Sequence, residues 1–314
     1  MAKLDVLRMH PDEIEIDISL VRRLLAGQFP KWARLSLEPV VPLGTDNALY
    51  RLGDDLVVRL PRRAPCDQAL QKECRTLPKL APHLPLPIPL PQASGLPSPD
   101  YPFHWAVYQW VKGQNAVIDR ISDGKQLAID LALFLRALQQ VDTNGGPQPG
   151  EHNFFRGAPL AMRDKPTRAA IAILGPSIDR DLVMDAWEAS LRAPEWSRPP
   201  VWIHGDLDSR NLLLENGRLC GVIDFGGLGV GDPACDTMVA WKILPADARG
   251  VFRTALRVDD ATWARSRGWA LSQALAALSY YTPETNRILV LEAQRWLTEV
   301  LTDHTSTLQA DANE

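Results

Sequence analysis

The spacing of hydrophobic and polar positions changes character near residue 113. Before that point it predicts a helix over 17–28 with Asp17 as N-cap. Two short strand-like runs, 48–52 and 56–60, are joined by Gly53-Asp54-Asp55, the turn chemistry of a hairpin. A helix over 67–80 follows. The proline-rich run 82–91 then reads as an extended segment that excludes helix. Residues 105–111 read as a strand ending at Lys112-Gly113. Beyond it, Leu127, Leu131, Phe134, Leu135 and Leu138 recur at helical spacing within 121–141. A polar loop over 142–150 precedes a helix near 180–191. Short strands come next at 201–204, 212–214 and 219–223, the last two joined by a Gly217 turn. From 236 onward the pattern is helical. Thr282-Pro283-Glu284 gives a cap followed by proline at a first helical position. A β-rich first third and a helical remainder predict an α+β protein with a lobe boundary near 108–113.

Composition excludes more than it identifies. The 314 residues are 46% hydrophobic and 23% charged, ordinary values for a globular protein. A formal net charge of −4 supplies no basic excess for a nucleic-acid partner. The four cysteines, Cys66, Cys74, Cys220 and Cys235, form no C-x-x-C pair and read as free thiols of a reducing compartment. The first residues lack the apolar core of a signal peptide. The most apolar stretches are too short or too polar to span a bilayer. The expectation is a cytoplasmic protein with neither membrane nor nucleic-acid partner, and no pattern encodes an oligomeric state.

Two segments carry chemistry. Residues 204–214 read His204-Gly205-Asp206-Leu207-Asp208-Ser209-Arg210-Asn211-Leu212-Leu213-Leu214, and 222–226 read Val222-Ile223-Asp224-Phe225-Gly226. Together they match H-x-D-L-x-x-x-N followed by D-F-G, the catalytic and metal loops of kinases. Phosphoryl transfer needs one carboxylate to orient the attacking hydroxyl and accept its proton, a role that suits Asp206. It also needs hard oxygen ligands for Mg²⁺, which Asn211 and Asp224 supply. The predicted hairpin over 212–223 brings the second segment back toward the first. His204 reads as a residue that orients this loop. A rival reading takes His204, Asp206 and Asp208 as a hydrolase metal cluster. It requires further histidine ligands, and His10, His83, His104, His152 and His304 stand in no ligand-like motif. Asp232, before Pro233, reads as a helix cap or loop brace, and Asp236 as structural.

These segments, with Gly231-Asp232-Pro233-Ala234-Cys235-Asp236 after them, resemble in order and spacing the long signature of the aminoglycoside phosphotransferase family, small-molecule kinases related to protein kinases. Upstream, Leu43-Gly44-Thr45-Asp46-Asn47-Ala48-Leu49-Tyr50-Arg51 resembles its nucleotide loop, and Leu56-Val57-Val58-Arg59-Leu60-Pro61 the strand with the phosphate-contacting base. The resemblance implies a two-lobed protein-kinase-like fold: a nucleotide-binding lobe over 1–107, a hinge over 108–113, and a mainly helical catalytic and acceptor-binding lobe over 114–314. It implies nucleotide contacts from Gly44, Thr45, Asn47, Arg59, Glu73, Gln109 and Trp110, with Glu73 pairing Arg59 and the hinge receiving the base. It also implies Mg²⁺ and ATP or GTP as co-substrate, with the γ-phosphoryl passing to a hydroxyl of a small molecule, an antibiotic or a metabolite. A non-catalytic nucleotide-binding module is the competing reading.

The chain departs from kinase patterns at several points. The nucleotide loop has Gly44 alone rather than G-x-G-x-x-G, and Arg59 stands where protein kinases use lysine. Asp208, where relatives often carry histidine, reads as a solvated side chain. No A-P-E element follows D-F-G, against a protein kinase. From Val251 on, eight acidic residues face six arginines, a balance that points as much to a neutral hydroxyl acceptor as to a polycationic one.

Overall fold

A computed structural model describes residues 13–40, 46–117 and 120–311. Two compact units form. The first contains the described residues through Pro82, Pro87–Lys112 and the return segment Val222–Gly226; the second contains His83–Leu86, Gly113–Gly221 and the chain from Gly227 onward.

In the first unit, α1 (Ile18–Gln28) starts where Asp17 accepts from the Leu20 N–H at 2.7 Å. Five strands then build an antiparallel sheet in the order β1-β2-β3-β5-β4: β1 (Leu37–Pro39), β2 (Asn47–Leu52), β3 (Leu56–Pro61), β4 (Pro91–Gly95) and β5 (Trp105–Gln109). Leu52 pairs with Leu56 at the β2–β3 turn, where Gly53 takes a positive φ of 58°. Helix α2 (Ala64–Leu80) begins three residues before the predicted 67, because Pro65 suits the first helical turn. The proline-rich run is not wholly extended: Ala81–His83 forms a 3-10 turn before the chain straightens. Strand β5 stops two residues short of 111. β1, with three residues, is too short to show a period, and β4, Pro-Gln-Ala-Ser-Gly, carries no apolar alternation; neither was predicted. Leu24, Val58, Leu60, Tyr101, Trp105 and Val107 form the apolar core between sheet and α1. Phe29 meets the Trp105 ring edge-on at 5.1 Å.

The second unit opens with β6 (Gln114–Asn115) and α3 (Gly124–Gln139), whose predicted apolar stripe is fully buried. Helices α4 (Asp164–Leu174) and α5 (Arg180–Leu191) follow, then strands β7 (Val201–Ile203), β8 (Leu212–Glu215), β9 (Arg218–Val222) and β10 (Gly229–Gly231). The hairpin β8–β9 turns at Asn216-Gly217, both at positive φ, and carries β6 on its edge; β7 pairs with β10. Short helices α6 (Ala234–Thr237) and α7 (Val239–Lys242) lead to α8 (Ala246–Leu256), α9 (Asp260–Tyr280) and α10 (Pro283–Asp311). α9 is the hub: α4, α5, α6 and α10 pack around it. Gly268 on α9 leaves room for α5, since a Cβ there would lie 2.7 Å from that of Ser190. The predicted start at Thr282-Pro283 opens only a turn. The backbone breaks at Asn286 (φ −157°, ψ 77°), whose side chain accepts from the Leu289 N–H at 3.1 Å and caps the long run beyond. The four cysteines are free. No helix among the described residues is long and apolar enough to cross a membrane.

Gly95 tests how the first sheet is packed, because a Cβ built there would overlap the buried Trp105 indole. Gly95→Ala is expected to lower unfolding free energy by about 1–3 kcal/mol, the range for overpacking a filled core. Urea unfolding checks this, and an unchanged midpoint would contradict the packing.

Candidate active site

In the first unit the charged side chains converge on Arg59. From β3 its Nη1 donates to Glu73 Oε2 of α2 at 2.8 Å, and its Nη2 donates to Asp224 Oδ1 at 3.2 Å. Asn47 reaches it diagonally across the β2–β3 pair, since Asn47 is opposite Pro61, two residues on. With the Asn47 amide oriented by its partners, the carbonyl oxygen accepts from Nη2 and Nε at 3.0 and 3.1 Å. Burial is the largest influence on Arg59 and opposes its charge. Glu73 and then Asp224 outweigh it and hold the guanidinium well above its ordinary value. Asp224 adopts a left-handed backbone (φ 61°), which aspartate tolerates, and is half-exposed at 53%. The neighbouring turn is fixed by Lys72, whose Nζ donates to the Gly226 carbonyl at 2.8 Å.

Gln109 and Trp110 also lie in this unit. Their N–H groups donate to the carbonyls of Leu90 and Asp55, each at 2.8 Å, and Arg51 covers the Trp110 ring at 4.2 Å. Any base contact from these two residues is therefore through carbonyls or side chains. Gly44 and Thr45 lie outside the described residues.

In the second unit, β7 delivers His204 into a tight turn. Asp236, fully buried, accepts from the N–H groups of His204 and Gly205, each at 2.7 Å. Burial pushes the Asp236 carboxyl up, while His204 and the two N–H bonds pull it back. Gly205 has φ +82°, and a Cβ there would overlap the Gly227 carbonyl, so only glycine fits. The Asp206 N–H donates to His204 Nδ1 at 3.2 Å, and Asn211 Nδ2 donates to the Asp206 carbonyl at 2.8 Å. That bond engages the nitrogen of Asn211 and leaves Oδ1 without a hydrogen-bond partner among the described residues, the donor a hard cation requires.

The Asp206 carboxylate is half-buried and takes an ion pair from Arg156, Nη1 to Oδ1 at 3.0 Å. Burial is the largest influence and would raise its pKa. Arg156 first, then Lys242, His204 and Arg210, reverse this and hold the carboxyl below the usual range. Arg156 stands in a loop with no motif, and nothing in the sequence marked it. The loop is pinned: Asn153 accepts from Gly150 N–H at 3.0 Å and donates to the Arg156 carbonyl at 3.1 Å, and Asp232 N–H donates to the Gly157 carbonyl at 2.8 Å. Asp232 also braces the entry to the following helix, accepting from Ala234 N–H at 3.0 Å, and takes a two-pronged pair from Arg265.

Asp208 corrects the sequence reading. It is not solvated: its side chain is 1% exposed, accepts from the Arg210 N–H at 2.9 Å and pairs with the Arg210 guanidinium. The rival metal cluster also fails to form, since no group of three or more His, Cys, Asp or Glu among the described residues is arranged to hold a metal.

The chain belongs to the phosphotransferase enzyme family, whose model matches residues 39–269. It is 28% identical to an aminoglycoside 3'-phosphotransferase from Escherichia coli over 224 residues, 68% of this chain and 78% of the relative. It spans about half the length, 52%, of two further relatives of the same name, from Escherichia coli and Salmonella typhimurium, at 26% and 25% identity over 45% of this chain. The fold is shared with the GDP complex of aminoglycoside 2'-phosphotransferase-IIIa (TM-score 0.72, 21% identity, 90% of this chain and 98% of that one). It is shared also with macrolide 2'-phosphotransferase MphH from Brachybacterium faecium (TM-score 0.59, 23% identity, 89% and 97%).

Asp236→Asn replaces one of the two carboxylate acceptors with a donor that faces an N–H. Denaturant unfolding is expected to show a loss of about 1–3 kcal/mol, the cost of a buried polar group left unpaired. Wild-type stability would show that the turn does not depend on Asp236.

Proposed function

We propose that this member of the phosphotransferase enzyme family transfers the γ-phosphoryl of ATP or GTP to a hydroxyl of a small molecule. The observation that carries the reading is the Asp206 carboxylate, kept ionised and aimed by Arg156 at 3.0 Å, on the same turn as Asn211 with its free amide oxygen. An ionised, anchored carboxylate suits a residue that must orient a hydroxyl and accept its proton. The aminoglycoside and macrolide phosphotransferases that the chain resembles support a small-molecule alcohol as acceptor, antibiotics included.

In this reading Arg59, steadied by Glu73 and Asn47, contacts nucleotide phosphates, with Gly44, Thr45, Gln109 and Trp110 as further nucleotide contacts. The segment to 107 binds nucleotide, 108–113 is the hinge, and 114–314 carries catalysis and the acceptor. Asn211 and Asp224 hold Mg²⁺, which when bound neutralises phosphate charge. Asp224 serves there once its Arg59 contact is shared with the phosphates. Asp206 aligns the acceptor oxygen for in-line attack on the γ-phosphorus. The P–O bond to the leaving diphosphate breaks, and the hydroxyl proton passes to the Asp206 carboxylate.

The test is release of ADP or GDP from Mg·ATP or Mg·GTP across aminoglycosides, macrolides, sugars and amino alcohols. Asp206→Ala is expected to lower kcat by about 10²–10⁴-fold, the range for a lost general base, with nucleotide affinity nearly unchanged. Near-normal turnover would remove Asp206 from that role. Asp224→Ala is expected to abolish Mg²⁺-dependent nucleotide binding in titration calorimetry, and unaltered affinity would remove the metal assignment. Saturable Mg·ATP binding with no transfer to any alcohol would point instead to a non-catalytic binding module.

A further inference from the structure

Two consecutive residues of α2 reach different parts of the first unit. Glu73 takes the Arg59 guanidinium, and Lys72, buried at 7% exposure, donates from Nζ to the Gly226 carbonyl at 2.8 Å. Neighbouring residues on a helix project about 100° apart, so the two arms diverge, one toward β3 and one toward the turn that carries Asp224. That turn has an uncommon backbone. Asp224 stands at φ +61°, which a residue other than glycine keeps where its surroundings hold it. Upstream, the Val222 N–H donates to the Pro87 carbonyl at 3.2 Å; Phe225 is fully buried; downstream comes the bond from Lys72. Gly226 also lies close to both acids of the cluster: a Cβ built on it would be 3.5 Å from Asp224 Oδ1 and 3.9 Å from Glu73 Oε1. Lys72 therefore grips the backbone beside the two carboxylates that meet Arg59.

The half-exposed Asp224 side chain is steered by Arg59, whose Nη2 meets its Oδ1 at 3.2 Å. A divalent cation competes for the carboxylate of that pair, and phosphates compete for its guanidinium. Once the contact is shared, the direction of the carboxylate rests on the backbone, and Lys72 gives that backbone a charge-assisted bond two residues on. Packing alone does not call for an ammonium at this place. A buried charge costs desolvation, and an apolar side chain of similar volume is often no less stable. Glu73, next in the chain, supplies counter-charge. Burial is the largest influence on Glu73 and lifts its carboxyl to about 7; against it, Arg59 and then Lys72 favour the ionised form.

We propose that Lys72 is a positioning residue for the metal loop: through the Gly226 carbonyl it holds the turn over 224–226 so that Asp224 presents its carboxylate to Mg²⁺. The proposal rests on the reading of Asp224 as a Mg²⁺ ligand. Helix α2 then sets two parts of the nucleotide site at once, the phosphate-contacting arginine through Glu73 and the metal ligand through Lys72. Lys72 touches neither nucleotide nor metal in this arrangement, so its loss is felt only where Mg²⁺ takes part.

The experiment measures the affinity of non-hydrolysable ATP and GTP analogues by titration calorimetry, with Mg²⁺ and with EDTA, on the full chain and on Lys72→Met. Amide hydrogen exchange over 224–227 is followed in parallel without ligand. In Lys72→Met the gain in affinity that Mg²⁺ brings is expected to shrink by about tenfold or more, the scale of a hydrogen bond to a charged group, at nearly unchanged affinity in EDTA. Exchange over 224–227 should quicken while the rest of the first unit keeps its protection. Lys72→Arg, which keeps a charged donor, is expected to recover part of the Mg²⁺ gain. A general structural role would instead lower affinity equally with and without Mg²⁺, and that result would overturn the proposal. Unchanged exchange over 224–227 in Lys72→Met would overturn it as well. Lys72→Gln serves the same comparison if Lys72→Met does not fold, and a full Mg²⁺ gain in either folded neutral variant would overturn the role of Lys72 alone. A wild-type protein that binds no nucleotide, or binds it no better with Mg²⁺ than with EDTA, would overturn the metal assignment of Asp224 and this proposal with it.

Discussion

One buried carboxylate fixes the geometry of the catalytic turn. Asp236 accepts the His204 and Gly205 N–H groups at the same distance, 2.7 Å, and makes no ion pair among the described residues. A turn through glycine at φ +82° leaves its N–H groups with no strand partner, and unpaired buried N–H groups would open it to water. Asp236 supplies both acceptors at once, so the direction in which Asp206 leaves the turn follows from Asp236. The same short segment supplies Asp232, which ties down both the helix start and, through its N–H, the loop carrying Arg156. Two aspartates four residues apart therefore govern the catalytic carboxylate and its cation.

Arginine at 59 follows from the number of its partners. Three oxygens, from Asn47, Glu73 and Asp224, approach different edges of one plane, and Nε, Nη1 and Nη2 meet them together. A lysine ammonium offers three donors from a single point and would not span those positions without shifting β2 or α2. The departure from the protein-kinase lysine is thus part of a consistent local set. Asn47 belongs to that set because an amide oxygen can share a guanidinium with a carboxylate without adding charge.

Legibility in the sequence tracked how local each feature's cause is. The Asp17 cap, the β2–β3 hairpin, the α3 stripe and the β8–β9 hairpin each arise from residues within a few positions of one another, and each was readable. β1, β6 and β10 have three, two and three residues, too few to show a period. α4 buries only Thr167, Ala170 and Ile171, so its stripe is faint. Asn286 was hidden because Thr282-Pro283 offered a stronger local signal three residues earlier. In the site, the motif residues announced themselves. Arg156 did not, because it reaches Asp206 across 50 positions from a loop whose Gly150, Asn153 and Gly157 look like any connector. Asp208 misled for the opposite reason: between a leucine and a serine it looks solvated, yet Arg210, two residues on, folds back over it.

The acceptor question shows why totals are poor guides to a site. From Val251 on, the near balance of acidic and basic residues left acceptor charge open. Pairing removes much of that ledger: Arg249 with Glu299, Arg265 with Asp232, Arg267 with Asp303 and Arg253 with Asp260 neutralise one another away from Asp206. What surrounds Asp206 is a local set: Arg156 paired with it, Lys242 and Arg210 nearby, and the buried Asp208 paired with Arg210. Arg156, Arg210 and Lys242 all precede the segment that was counted, Lys242 by nine residues. A ligand responds to the uncompensated charge within roughly a Debye length, about 8–10 Å at physiological salt, and to little beyond. The balance of the 64 residues from Val251 on therefore says less about the acceptor than the few charges that surround one carboxylate.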